Sequence, residues 1–222
     1  MSLRQKEKSE MTHQEIKAAA LKLFQERGYR NTSVHDIVKE SGYSIGSFYN
    51  HYKTKRDVLA DIWNEHAITF IRHSTEEIGN LRTPRELANY LIDNSNAFDR
   101  DEKTVRLAKA AQEDQVTVGK NYEGVREASQ LYLERIAGLL GEFCPHTGKE
   151  ILLSHASVLD SIQYAHSEVT RKKVGYFFHD DTVKNDILSL IDHWIEEDRR
   201  TRSSPGGLLC INTPAKSEYV HF

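Results

Sequence analysis

Between residues 16 and 59 the sequence IKAAALKLFQERGYRNTSVHDIVKESGYSIGSFYNHYKTKRDVL holds three short apolar helical runs divided by glycines, and that punctuation leaves few ways to fold. Ile16, Ala19, Ala20, Leu23 and Phe24 recur at the i, i+3, i+4, i+7, i+8 spacing of a single helical face. Thr12 and Glu15 form a T-x-x-E capping box, which sets the start of this helix. Gly28 ends it, because glycine accepts the left-handed conformation of a C-terminal cap. Ser33 (or Thr32) caps a second, shorter helix with Val34, Ile37 and Val38 facing inward, and Gly42 breaks it. Ser44 caps a third, running from about Ile45 to His51. Thr54 and Asp57 make a second capping box, with Lys55 in the first turn of a fourth helix.

The third helix is unusual. Phe48 and Tyr52 lie four residues apart and anchor one side, while Gly46, Tyr49 and Asn50 share another that is free to face outward. A glycine inside so short a helix costs roughly 1 kcal/mol against alanine. Close approach to another surface accounts for that cost. Lys55 sits where a helix end is partially positive, and a phosphate in front of it would reverse the penalty. Three helices with a tight glycine turn before the last make a helix-turn-helix, the device that lays its final helix in a DNA groove.

This stretch resembles the TetR-type bacterial transcription regulators along nearly the whole amino-terminal domain. The resemblance rests on Ala20, Phe24, Gly28, Tyr29, Thr32, Ser33, Val34, Ile37, Gly42, Ser44, Gly46, Tyr49, Tyr52 and Lys55. The departures are mild: Val38 and Ser41 stand where alanine is common, Tyr43 where valine is common, and Ser47 replaces threonine while keeping the hydroxyl. The resemblance implies a DNA-facing set of Thr32, Ser33, Ser44, Ile45, Gly46, Ser47, Tyr49, Asn50, His51 and Lys55. Within it, the hydroxyls of Thr32, Ser33 and Ser47, with Tyr49, His51 and Lys55, would hold phosphates and set register. Ile45, Gly46, Tyr49 and Asn50 would face base edges, where asparagine pairs bidentately with adenine and isoleucine suits a thymine methyl. Taken without the surrounding motif, Tyr49, Asn50 and His51 would read as a solvated helix face.

Net charge is −3 over 222 residues, which alone argues against nucleic acid. Its distribution argues the other way. Residues 1–56 hold 11 Lys+Arg against 6 Asp+Glu, whereas residues 57–222 hold 19 against 27. A basic head on an acidic body fits a DNA-binding module with a separate sensing module. No apolar run is long enough to span a bilayer and the first ten residues, MSLRQKEKSE, are charged, so a cytoplasmic protein without membrane association is expected.

The remainder reads helical, so the expected fold class is all-α. Residues 1–56 form a three-helix helix-turn-helix domain with residues 1–10 as a flexible arm, residues 57–200 a larger helical effector-binding and dimerisation domain, and residues 201–222 a tail. Val58, Leu59, Ile62, Trp63, His66, Phe70 and Ile71 stripe a long fourth helix ending near Gly79, and Thr83-Pro84-Arg85-Glu86 opens a fifth. Helices follow over about 101–114, 121–143, 149–172 and 182–198, and Val174–Phe178 is the sole extended piece. Leu152, Ala156 and Leu159 mark a face of one late helix; Ile187, Ile191 and Trp194 mark a face of the next. The resemblance implies that these two helices pair with their copies across a two-fold axis in a homodimer. The alternative is that both stripes pack inside the monomer.

The resemblance also implies a small-molecule effector in the body. Candidate lining residues, aromatic or polar on otherwise apolar faces, are Trp63, His66, Phe70, Tyr90, Asn94, Phe98, Gln112, Tyr122, Gln163 and His166. Few clustered cations lean towards a neutral or hydrophobic effector. His155 and His166 are about 16 Å apart along a helix axis, too far to share a metal. Cys144-Pro145-His146 lacks a second ligand pair, so no metal and no cofactor are expected. No phosphate loop, nucleophile elbow or HExxH motif is present, which argues against an enzyme. The composite expectation is a one-component regulator, a repressor released from a palindromic double-stranded operator by an effector. Its rival is a helical sensor or interaction scaffold without sequence-specific DNA binding.

Overall fold

The computed structural model describes residues 3–97, 102–113, 123–171 and 179–203, and these are all-α. The helices are α1 (Leu3–Arg27), α2 (Val34–Ser41), α3 (Ile45–His51), α4 (Lys55–Ile78), α5 (Pro84–Ala97), α6 (Glu102–Glu113), α7 (Glu123–Phe143), α8 (Lys149–Arg171) and α9 (Asp180–Ser203). Val174–Phe178, Phe98, Tyr122 and residues 204–222 lie outside the described residues, and so does the side chain of Gln112.

The local signals act as expected in the head. Ser33 caps α2 and accepts from the Asp36 N–H, and Asp36 answers by accepting from the Ser33 N–H, so two orphan donors are satisfied together. Thr54 and Asp57 do the same for α4. Gly28 and Gly42 have φ of +85° and +74°, a region where a side chain is strained, and there the chain leaves α1 and α2.

The start of α1 differs from expectation. Residues 3–10 are helical rather than a flexible arm, and Thr12 is not a cap: its hydroxyl donates to the Lys8 carbonyl one turn back. The run Arg4–Glu10 is rich in good helix formers, and extending a helix already nucleated costs little. At the other end α9 continues to Ser203, past the expected Asp198.

Two hydrophobic cores form. One joins Ile16, Leu23 and Phe24 of α1, Ile37 of α2 and Phe48 of α3 to Val58, Leu59 and Ile62 of α4 and Leu107 and Ala111 of α6. The other gathers Leu87, Leu91, Ile136, Leu140, Leu159, Ile187 and Ile191 from α5, α7, α8 and α9. Burying each of the leucine, isoleucine, valine and phenylalanine side chains contributes about 1.5–3 kcal/mol. Packing therefore does not divide at residue 56. The first turns of α4 belong to the head core, its last turns reach Ile71 and Ile78 in the body core, and α6 packs on α1.

Candidate nucleic-acid interface and effector cavity

Helix α3 is planted by Phe48, which is fully buried and meets the Tyr52 ring at 5.9 Å between centroids. Ser44 caps it, its Oγ accepting the Ser47 N–H at 3.1 Å. The opposite face stands in solvent. Ile45 is 51% and Tyr49 55% exposed, and Gly46 and Asn50 are exposed beside them. Two large side chains are thus held out in solvent from a seven-residue helix. Ser44 and Ser47 adjoin this surface, their hydroxyls 2.9 Å apart, and Ser33 is exposed at the start of α2.

A polar cluster fixes the angle of α3 to the rest. The Tyr52 hydroxyl donates to Asp61 Oδ2 on α4 at 2.7 Å, and His13 Nε2 on α1 lies 2.9 Å from the same oxygen. Lys17 bridges to Glu65 at 2.7 Å. Burial first, then the Asp61 bond and charge, pushes the Tyr52 phenol far above its ordinary pKa, so it remains a donor at any working pH. His51 is held below its ordinary pKa by burial and then by His13, whose ring lies 5.7 Å away.

Two expected phosphate ligands have other work. Thr32 is only 2% exposed, and its hydroxyl donates to the Gly28 carbonyl at 2.9 Å, where it closes the α1–α2 turn. Its side chain therefore presents almost nothing to solvent. Lys55 Nζ donates to the carbonyls of Tyr29 and Thr32, both at 2.7 Å, and sits 4.1 Å from the Tyr29 ring centroid. Those acceptors offset the unfavourable helix-end position, and Lys55 ties the α1–α2 turn to the start of α4.

In the body, a cavity of about 230 Å³ opens between α4, α5, α7 and α8. Of the expected lining residues, Phe70, Asn94 and Gln163 are there. His166 stands behind the wall: it is 1% exposed, with Nδ1 at 2.8 Å from Ser95 Oγ and Nε2 at 3.0 Å from Asp180 Oδ1. Tyr90 turns away, donating to Glu77 at 3.0 Å. Trp63 packs on the head core, and His66 borders a separate groove between α1 and α4. Sequence reasoning missed Ser74, Ser95, Tyr132 and Asp160, small or polar residues that leave no periodic signal. Burial raises the Asp160 carboxyl above its ordinary pKa, and burial followed by Asp160 itself raises the Tyr132 phenol.

The six residues expected at a dimer interface lie inside the subunit. Leu152, Ala156, Leu159, Ile187, Ile191 and Trp194 are all buried in the body core, so the intramonomer alternative holds for them. The large hydrophobic residues that α8 shows to solvent include Ile151, Val158 and Tyr164, and a shallow groove joins Val158 to Ile162 and Ala165. Beside them the His155 ring stacks on Trp194 at 3.8 Å, with its Nδ1 buried and, among the described residues, unpartnered. Cys144 is buried and its thiol is pushed up by burial, then by Asp198, which makes it a poor nucleophile. Among the described residues no group of three or more His, Cys, Asp or Glu is placed to hold a metal.

Residues 16–62 match the family described as bacterial regulatory proteins, tetR family. The HTH-type transcriptional regulator AcrR of Shigella flexneri is 36% identical over 63 residues, which cover 28% of this chain and 29% of that protein. The chain spans half or less of the length of the curated relatives it matches. Over longer stretches the likeness is one of fold. The regulator FadR of Bacillus subtilis, solved with stearoyl-CoA, superposes with a TM-score of 0.53 at 19% identity, covering 82% of this chain and 98% of that one. AibR, solved with isovaleryl coenzyme A and operator DNA, gives 0.50 at 14% identity, covering 81% and 97%.

Proposed function

We propose, from the match of residues 16–62 to the tetR family of bacterial regulatory proteins, that this chain is a one-component transcriptional repressor, acting in the cytoplasm as a homodimer that leaves a palindromic operator when a small molecule fills the body cavity. The observation that carries this reading is the face of α3: Ile45, Gly46, Tyr49 and Asn50 point out of a helix whose other side is locked into the core by Phe48. In the proposal these four meet base edges in the major groove, while Ser33, Ser44, Ser47 and His51 hold the flanking phosphates. Lys55 acts through position, by holding the α1–α2 turn against α4.

One head makes few base contacts, so two are needed, set about 34 Å apart or a multiple of it. The outward stripe Ile151, Val158, Ile162 and Ala165 of α8 is the surface for that pairing, in place of the buried residues. A partner there would also cover His155.

Helix α4 supports the signalling half. It is continuous from Lys55, bonded to the head turn, through Val58 and Ile62 in the head core, to Phe70, Ile71 and Ser74 on the cavity wall. A ligand that displaces those last residues tilts the same rod at its other end. Effector and DNA then weaken each other by equal factors, as linkage requires. No described helix is long and apolar enough to cross a membrane.

The test is fluorescence anisotropy of the full chain on a duplex selected from randomised DNA. Asn50→Ala is expected to weaken binding by about 1–3 kcal/mol and to relax preference at one base pair. Equal affinity of wild type and Asn50→Ala on selected and scrambled duplexes contradicts the assignment. Absence of any salt-sensitive DNA binding favours the rival, an interaction scaffold.

A further inference from the structure

We propose that the body cavity takes a small organic cation, a protonated amine on an apolar body, with its ammonium on the Asp160 carboxylate and its apolar part against Phe70, Ile71 and Tyr132. The proposal rests on the effector reading above and names the chemical class of that effector.

Most polar groups on the wall already have partners in the protein. Asn94 Nδ2 donates to Ser74 Oγ at 3.1 Å. The Tyr132 hydroxyl donates to Gln163 Oε1 at 2.7 Å. Ser95 Oγ lies between the Ile92 carbonyl at 2.7 Å and His166 Nδ1 at 2.8 Å. Asp160 is different: no hydrogen bond or ion pair reaches its carboxylate among the described residues, although it lines the cavity and is half-buried. Among the described residues it is also the single charged one on that wall, and none of them there is a lysine, arginine or histidine.

A partly desolvated carboxylate without a partner is unfavourable unless something outside the chain completes it. A ligand ammonium does so with a charge-assisted hydrogen bond. The aromatic walls add to the preference, because ring faces attract cations. Burial alone accounts for the raised pKa of Asp160, and a bound cation would draw the carboxyl back down. An anionic ligand has the opposite experience. A carboxylate or a phosphate would meet a like charge with no cation among the described lining residues to balance it. Size points the same way: about 230 Å³ is below the ~300–1,000 Å³ typical of drug-sized pockets, so the ligand is small. Two structures of similar fold hold coenzyme A thioesters, but a coenzyme A head group has no basic partner among the described residues of this wall.

Isothermal titration of the full chain with 4-phenylbutylamine, 4-phenylbutan-1-ol and 4-phenylbutyrate varies the head group on a common body. The amine is expected to bind at least about tenfold tighter than the alcohol, with the carboxylate weakest. Asp160→Asn should bring the amine down to the alcohol and leave the alcohol unchanged; Asp160→Glu, which keeps the charge, should keep the preference. Thermal melting of each variant confirms folding. Equal amine and alcohol affinities, a carboxylate that binds best, an amine preference that survives Asp160→Asn, or no binding by any of the three overturns the proposal. DNA affinity measured in parallel separates the two readings. Amine binding that leaves DNA affinity untouched keeps this site and removes the effector role. DNA release by the carboxylate or by an acyl-CoA, insensitive to Asp160→Asn, keeps the effector role and removes the cation site.

Discussion

Replacing Gly46 with alanine separates what the protein needs from what its partner needs. Gly46 does not have the positive φ that makes glycine obligatory at positions 28 and 42. A Cβ built there meets only Ser44 Oγ, at 3.8 Å, an ordinary contact. Nothing within the subunit therefore demands glycine. Alanine gains helix propensity, about 0.5–1 kcal/mol, which for a chain of this size raises Tm by roughly 1–4 °C. The same methyl projects from the exposed face between Ile45 and Tyr49, where the account brings a duplex into close contact. Loss of that approach should weaken specific DNA binding by about tenfold or more, or about 1.4 kcal/mol. Calorimetric melting and anisotropy on one preparation of Gly46→Ala read both effects. A variant that melts higher and binds its operator as tightly as wild type refutes the reasoning, because glycine would then serve neither the fold nor the partner.

Four further outcomes follow from the geometry. Lys55→Ala removes the donor from two carbonyls and should lower stability by about 1–3 kcal/mol in urea unfolding, while the salt slope of DNA binding stays as in wild type. Thr32→Val should cost about 1 kcal/mol of stability through the lost Gly28 bond, with specific DNA affinity measured well below its melting point unchanged. Val158→Asp, at an exposed position on α8, should convert a sedimenting dimer into a folded monomer. Asp160→Asn should raise Tm, and the gain should depend on pH. The folded pKa of Asp160 lies above its ordinary 3.8, so its carboxyl destabilises the fold little below that value and more as pH rises through the folded pKa. The Tm difference between variant and wild type is therefore larger at about pH 7 than at about pH 4.

Local signals and long-range packing were unequally legible in the sequence. The bounds of α3 could be read from Ser44 and Gly42, because a cap and a left-handed turn are decided by adjacent residues. Thr12 and Glu15 misled for a related reason: a capping box marks a start only where the preceding residues leave the helix, and Arg4–Glu10 do not. The stripes containing Leu159 and Ile187 announced buried faces but not what buries them, since periodicity is silent on whether the covering surface belongs to the same chain. The cavity was the least legible. Four helices separated by long stretches of sequence contribute to it, and its most informative residue, Asp160, follows Leu159 as an ordinary polar neighbour of a core stripe. Its lack of a partner among the described residues is a tertiary fact. The reach of α4 and α6 into the head core was hidden in the same way.

The central claim, that paired copies of α3 enter the major groove, is met most directly by dimethyl sulfate footprinting, which reports guanine N7 in that groove. On a selected duplex bound by the full chain, two protected major-groove segments on one face are expected, their centres a whole number of helical turns apart and both lost in Tyr49→Ala. A single protected segment, or protection unaltered by that substitution, would contradict it.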